Sequence, residues 1–117
     1  METLEYTDLA QIFSSLGGET RIQLLQSLRT KALNCPDPTT CDLSERCCDV
    51  SELAEVLGMA ISTVSYHLRE LRLAGLIQTQ RRGKHVYCSI NGATTDQLIR
   101  FFESLGQNTQ NKKEKTK

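Results

Sequence analysis

Tryptophan is absent from this chain, and three Phe and three Tyr are the only large aromatic residues in 117 positions. So little aromatic bulk builds one modest core, which suits a single small domain with at most a short appendage. Long apolar runs are also missing. No window approaches the ~18 apolar residues of a membrane span, and the opening METLEYTDLA is acidic, unlike a secretory leader, so the chain reads as soluble and cytoplasmic, with no membrane partner. Five cysteines are an odd number, and a cytoplasmic chain has little use for a structural disulfide framework. Paired carboxylates, a Ser/His/Asp set and a phosphate-cradling glycine loop are all missing, which points away from an enzyme and from any small organic substrate. No internal repeat is visible.

An excess of charge of one sign is missing too, since 14 Lys+Arg balance 14 Asp+Glu. Zero net charge would exclude nucleic acid only if it were spread evenly, and it is not. Residues 1–59 hold four basic residues against ten acidic ones, or −6. Residues 60–90 hold Arg69, Arg72, Arg81, Arg82 and Lys84 against Glu70 alone, or +4, and residues 91–117 add +2. A basic middle beside an acidic first half is the footprint of one face that meets phosphate while another faces away.

Apolar spacing organises the chain. Leu9, Ile12, Phe13 and Leu16 predict a helix over 8–16 stopped by Gly17-Gly18, and Ile22, Leu24, Leu25 and Leu28 a second over 19–30. The stretch LNCPDPTTCDLSERCC then carries both prolines and four of the five cysteines, and it reads as a long functional loop. Asp49 and Glu52 have capping-box spacing and open a helix bearing Val50, Leu53, Ala54 and Leu57, ended by Gly58. A helix over 61–74 follows, with Ile61, Val64, Leu68 and Leu71 as its buried face and Gly75 as its stop. LIQTQ and HVYCSI flank Arg81-Arg82-Gly83-Lys84 as a β-hairpin. A last helix over 94–105 shows Leu98, Ile99, Phe101, Phe102 and Leu105. Residues 1–106 thus form one domain with a Cys-rich insertion at 34–48, and residues 107–117 an unstructured basic tail.

Two short helices followed by a basic-tipped hairpin predict a mainly α fold, a helix-turn-helix with a wing. A reading helix must bury one face and leave small polar groups free for base edges and phosphates. Here the free face offers Ser62, Thr63, Ser65, Tyr66, His67 and Arg69, while Arg81, Arg82, Lys84 and His85 at the hairpin would reach the flanking minor groove or backbone. Double-stranded DNA is the partner this order of features calls for.

ELAEVLGMAISTVSYHLRELRLAGLI followed by RRGKHVYCSI resembles the winged-helix core of the ArsR/SmtB metal-sensing repressors, and LGGETRIQLLQSL resembles the helix pair that precedes it. The resemblance covers about residues 9–105. It implies a homodimer packed through the first and last helices, an inverted-repeat operator, and release of DNA on binding metal. Ala60 stands where the family often has a capping Ser, and Ile61-Ser62 replaces a frequent Gln-Pro pair.

Cys35, Cys41, Cys47 and Cys48 put four thiols within 14 residues of a polar, Pro-containing loop. Free cysteines are normally scattered and buried, so this cluster predicts a site for a soft ion: As(III), Sb(III), Cd(II), Pb(II), Hg(II), Cu(I) or Zn(II). Adjacent Cys47 and Cys48 point in different directions on most backbones, so three thiols, one of the pair with Cys35 and Cys41, or all four remain open. A thiol-redox switch, a structural zinc clip, an iron–sulfur cluster and a zinc-stabilised protein-interaction module are the rival readings. Thiol-type members of the resembled family carry cysteines at the positions of Asp49 and Ser51, and others use Asp and His pairs on the last helix, where this chain has only Asp96. Cys88 alternates with Val86 and Ile90 and reads as a packing residue.

Overall fold

A computed structural model describes residues 5–33 and 42–116, with side chains at 5–33, 42, 44 and 46–107. Helices α1 (Tyr6–Ser15) and α2 (Glu19–Leu33) precede a short α3 (Leu43–Arg46) and a two-residue strand β1 (Cys48–Asp49). Then come α4 (Val50–Leu57), α5 (Ile61–Leu73), the hairpin β2 (Ile77–Arg82) and β3 (His85–Ile90), and α6 (Gly92–Thr116).

One core joins these elements, with Ile12 of α1, Leu24 and Leu28 of α2, Leu53 of α4 and Val64 and Leu71 of α5 almost fully buried. The helix-turn-helix is punctuated by two left-handed glycines. Gly58 (φ 66) donates to Glu55 O and Met59 to Ala54 O; Gly75 (φ 81) donates to Arg72 O and Leu76 to Leu71 O. Each set is a Schellman motif, which satisfies the last carbonyls of α4 and α5 and turns the chain sharply. At the start of α6, Asn91 Oδ1 accepts the Ala93 N–H, and its Nδ2 donates to Gly75 O, so the last helix is fastened to the end of α5.

Four expectations are corrected. The stretch read as a loop to Cys48 contains α3 and β1, and β1 makes the sheet three-stranded in the order β1-β3-β2, with Cys48 opposite Cys88 and Asp49 opposite Tyr87. A two-residue strand has no alternation to read, and its pairing is non-local. The capping box does not form: Asp49 makes no cap hydrogen bond, its carboxylate lies 3.0 Å from His85 Nδ1, and Glu52 accepts from Lys31 Nζ at 2.6 Å. Ile61 is 54% exposed instead of joining Val64, Leu68 and Leu71 in the core. Helical side chains lean towards the N-terminus, so the first residue of α5 leans off the packed part of the helix. Finally, α6 runs on to Thr116, past Leu105 and through the segment read as an unstructured tail. Polar residues do not end a helix by themselves, and Gln, Lys and Glu are good helix formers.

Leu71→Ala is expected to cost about 2–5 kcal/mol of unfolding free energy, and Ile61→Ala under about 1 kcal/mol, because only the first leaves a buried cavity. Urea melts at one fixed protein concentration check this ordering; equal losses would place Ile61 in the core after all.

Candidate nucleic-acid interface and thiol clefts

The bare side of α5 exists because Val64, Leu68 and Leu71, spaced 4 and 3 apart, hold its other side. Ser62, Thr63, Ser65, Tyr66 and Arg69 are exposed on it, as are Arg81, Arg82 and Lys84 on the wing. Among the described residues, none of the side chains of Arg69, Arg72, Arg81, Arg82 and Lys84 has a hydrogen bond or ion pair. The wing closes on a two-residue turn, Gly83-Lys84, with Gly83 at φ 60 and Arg82 paired with His85.

Two of the residues expected at DNA also have partners inside the molecule. His67 is half-buried, and its Nδ1 accepts a hydrogen bond from Arg21 Nε at 3.1 Å. His85 is exposed but already engaged, by Asp49 and by Tyr87, whose ring centroid lies 5.8 Å away. Each histidine faces a partner inside the molecule as much as it faces solvent.

Arg21 is the residue that sequence reasoning missed. Beyond His67, its Nη1 donates to Ser15 O at 3.4 Å and its guanidinium lies 5.7 Å from the Tyr66 ring centroid. Ser15 Oγ in turn donates to Glu70 O at 3.3 Å, and Gln11 reaches Leu73 O. One planar group thus ties α1 and α2 to the middle of α5 through hydrogen bonds and a cation–π contact. No local pattern announces this, since Arg21 stands 46 residues from His67 in an acidic half of the chain.

Cys47 and Cys48, both buried, open onto different clefts. Cys48 lies at the base of a 440 Å³ cavity between α2 and α4, beside Ser27, Lys31 and Glu52, and its thiol donates to Ser27 O at 4.0 Å. Cys47 faces a separate 340 Å³ cleft with Gln78, Gln80, Tyr87 and Ser89. Burial, helped by the charge of Glu52, pushes the Cys48 thiol up to about 11; burial and the neighbouring Cys48 push Cys88 to about 12. Cys88 is 1% exposed and packs in the core, as its place in the strand suggested. Cys35 and Cys41 lie outside the described residues, and among the described residues no three His, Cys, Asp or Glu side chains gather to hold a metal ion.

Residues 38–79 match the profile of the bacterial regulatory protein arsR family. Over 94 residues, 80% of this chain and 94% of the relative, the sequence is 30% identical to the HTH-type transcriptional regulator YbzH of Bacillus subtilis. The chain belongs to the arsR family. It is also 31% identical over 91 residues to the HTH-type transcriptional regulator KmtR of Mycobacterium tuberculosis, and 28% identical over 92 residues to a cadmium resistance transcriptional regulatory protein, a CadC homolog of Staphylococcus aureus. These matches take in 78% and 79% of this chain but only 58% and 64% of those two proteins. Among solved structures, an ArsR family regulator superposes with a TM-score of 0.69 over 93% of this chain and 97% of its own, at 22% identity. A homodimeric winged helix-turn-helix domain from Mycobacterium bovis superposes at 0.59 over 88% and 82%, at 21% identity. The fold is therefore the winged helix-turn-helix of the arsR family, and the chain is a transcriptional regulator of that family. Among the described residues no helix is long and apolar enough to cross a membrane.

Two outcomes follow. Arg21→Ala is expected to cost about 1 kcal/mol of stability and to weaken duplex binding several-fold, with Arg21→Lys failing to restore it because an ammonium lacks the planar fork. Anisotropy and melting measured side by side decide it; lost stability with unchanged DNA affinity would make Arg21 a packing residue only. The second concerns alkali. Unfolded thiols ionise near their ordinary 9.0, whereas buried Cys48 and Cys88 keep their protons to about 11 and 12. The native state then binds more protons than the unfolded one, so stability is intact below about pH 9 and falls as pH rises through that window. Urea melts at about pH 8 and about pH 10 should show a smaller loss for Cys88→Ala than for the unsubstituted protein.

Proposed function

We propose that this arsR-family regulator is a cytoplasmic repressor, a homodimer on an inverted-repeat operator, which leaves the DNA when a thiophilic ion binds its cysteine segment. The observation that carries the DNA half is the bare face of α5 and the wing, where hydroxyls and unpartnered cations lie together. Ser62, Thr63, Ser65 and Tyr66, with Arg69, would meet base edges and phosphates, and Arg81, Arg82 and Lys84 the flanking backbone; His67 serves mainly to hold the helix.

Dimerisation has support in the terminal helices. Phe13 of α1 packs edge-on against Phe102 and tilted against Phe101 of α6, at 5.9 and 6.1 Å, yet Phe102, Ile99 and Leu105 remain about half exposed. A second copy presenting the same apolar face would bury them.

The ion half rests on thiol chemistry and on likeness to a cadmium resistance regulator. Cys35, Cys41, Cys47 and Cys48 are the proposed ligands for As(III), Sb(III), Cd(II), Pb(II), Hg(II) or Zn(II). The separate clefts of Cys47 and Cys48 favour a three-thiol set that takes one of them with Cys35 and Cys41. Bound there, a soft ion would supply a multidentate cross-link between thiolates. Cys48 would have to give up a proton that its burial retains, so its participation would make binding stronger as pH rises. Cys48 and Asp49 form β1 and lead straight into α4, while Asp49 holds His85 of the wing, so any movement of this strand is felt at both DNA-facing parts. A coupling of ~1–3 kcal/mol between ion and DNA is what such release requires.

Reduced, metal-free protein on labelled DNA from upstream of its own gene tests this by anisotropy as Cd(II), Zn(II), Pb(II), Hg(II) and arsenite are added in turn. Release by at least one ion, lost in Ser variants of the cysteine segment, is the expected result. Binding indifferent to every ion would overturn the ion half, and release by oxidant alone would assign the signal to thiol oxidation.

A further inference from the structure

We propose that the cleft between α5 and the wing seats one phosphodiester group of the DNA backbone, and that Arg72 and Thr79 belong to that seat. The inference rests on the DNA-binding reading above and assigns residues that the helix-turn-helix pattern did not mark.

The cleft has a volume of 340 Å³; Ser65, Arg69 and Arg72 line one wall, Thr79 and Arg81 the other, over an apolar floor that includes Leu68. Two periodicities build it. Arg69 and Arg72 are three apart on a helix and share a face; Thr79 and Arg81 are two apart on a strand and share a face. Three arginines and two hydroxyl residues therefore line one space, and no carboxylate residue lines it. Like charges repel when brought together, and none of these three guanidinium groups has a hydrogen bond or ion pair among the described residues. Such a set fits an anion with several acceptor oxygens, which takes donors from both walls at once. The cleft lies between the helix that would enter the major groove and the hairpin that would flank it, so a duplex engaged by both would carry its backbone across the opening. A phosphate held there sets register and orientation and carries no base preference.

The test is a salt series by anisotropy on the full chain, with the duplex from upstream of its gene and an unrelated duplex of equal length. Arg72→Ala should make log K against log[salt] shallower by about 0.9 for each protomer bound, equally on both duplexes. Thr79→Val should weaken binding a few-fold without changing the slope, because it removes a donor and no charge. Both side chains are exposed, and unchanged melting temperatures confirm that both variants fold. If the unsubstituted protein binds neither duplex at low salt, the DNA reading fails and the seat with it. If it binds but Arg72→Ala keeps the full slope, or loses affinity only with one base pair, the seat alone is overturned. Inorganic phosphate that raises the melting temperature of the DNA-free protein, but not of Arg72→Ala, would make the cleft a free-anion site and overturn the backbone assignment.

Discussion

A helix that is to be read against DNA has to be held from behind, because anything that grips its outer face would occupy the groove. That constraint organises this molecule. Val64, Leu68 and Leu71 supply the grip by burial, and the polar contacts reinforce it without crossing to the far side. Arg21 takes His67 and the ring face of Tyr66, Ser15 takes the Glu70 carbonyl, and Gln11 takes that of Leu73. Left-handed glycines at both ends let the chain leave α4 and α5 abruptly, so neither connection has to pass over the bare face.

The charge distribution follows the same division. Zero net charge hides two regimes, one in which charges find partners inside the molecule and one in which they do not. Glu52 is engaged by Lys31, a contact that also raises the Lys31 pKa, and Asp49 by His85. Both pairs are partly exposed, so their direct worth is small, on the order of 1 kcal/mol or less. Their larger consequence is that the carboxylates of Asp49 and Glu52 are occupied, while the cations of α5 and the wing are left bare. A surface of this kind attracts polyanions despite an overall neutral chain.

What was legible in the sequence was whatever had a period. The helical spacing of Val64, Leu68 and Leu71, the alternation around Cys88 and the glycines at 58, 75 and 83 located the helix-turn-helix, the wing and the buried thiol. What escaped depended on partners far away in the chain. The carboxylates of Asp49 and Glu52 had the right spacing to cap α4, but His85 and Lys31 compete for the same oxygens, and neither competitor is visible locally. Strand β1 is defined by its pairing with β3, and the role of Arg21 by contacts to α5 and α1. Ile61 kept the period yet lies at a helix end, where periodicity no longer implies a neighbour to pack against. The cysteine segment was conspicuous by composition, but composition does not say which thiols converge, and the separate clefts of Cys47 and Cys48 come from the strand that the sequence did not reveal.

That short strand also explains how a signal at the thiols could matter to DNA at all. A loop tethered only at its ends could bind an ion and leave the domain unchanged, since conformational change requires an element with different energies in two arrangements. β1 is not such a loop. Cys48 is packed in the core opposite Cys88, Asp49 bonds to the wing, and Val50 is already in α4. Pulling a thiol out of that position would expose apolar surface, loosen the wing and disturb the start of the helix that carries α5. On the proposed mechanism the cost of extracting Cys48 would itself be the coupling: an ion would offset it only by binding more tightly to a displaced β1, and DNA would oppose it by favouring the undisplaced one. A set using Cys47 instead would leave the core thiol in place and act through backbone continuity with β1, with a weaker hold on α4. On that proposal the depth of the thiol chosen would set how strongly ion and DNA exclude one another.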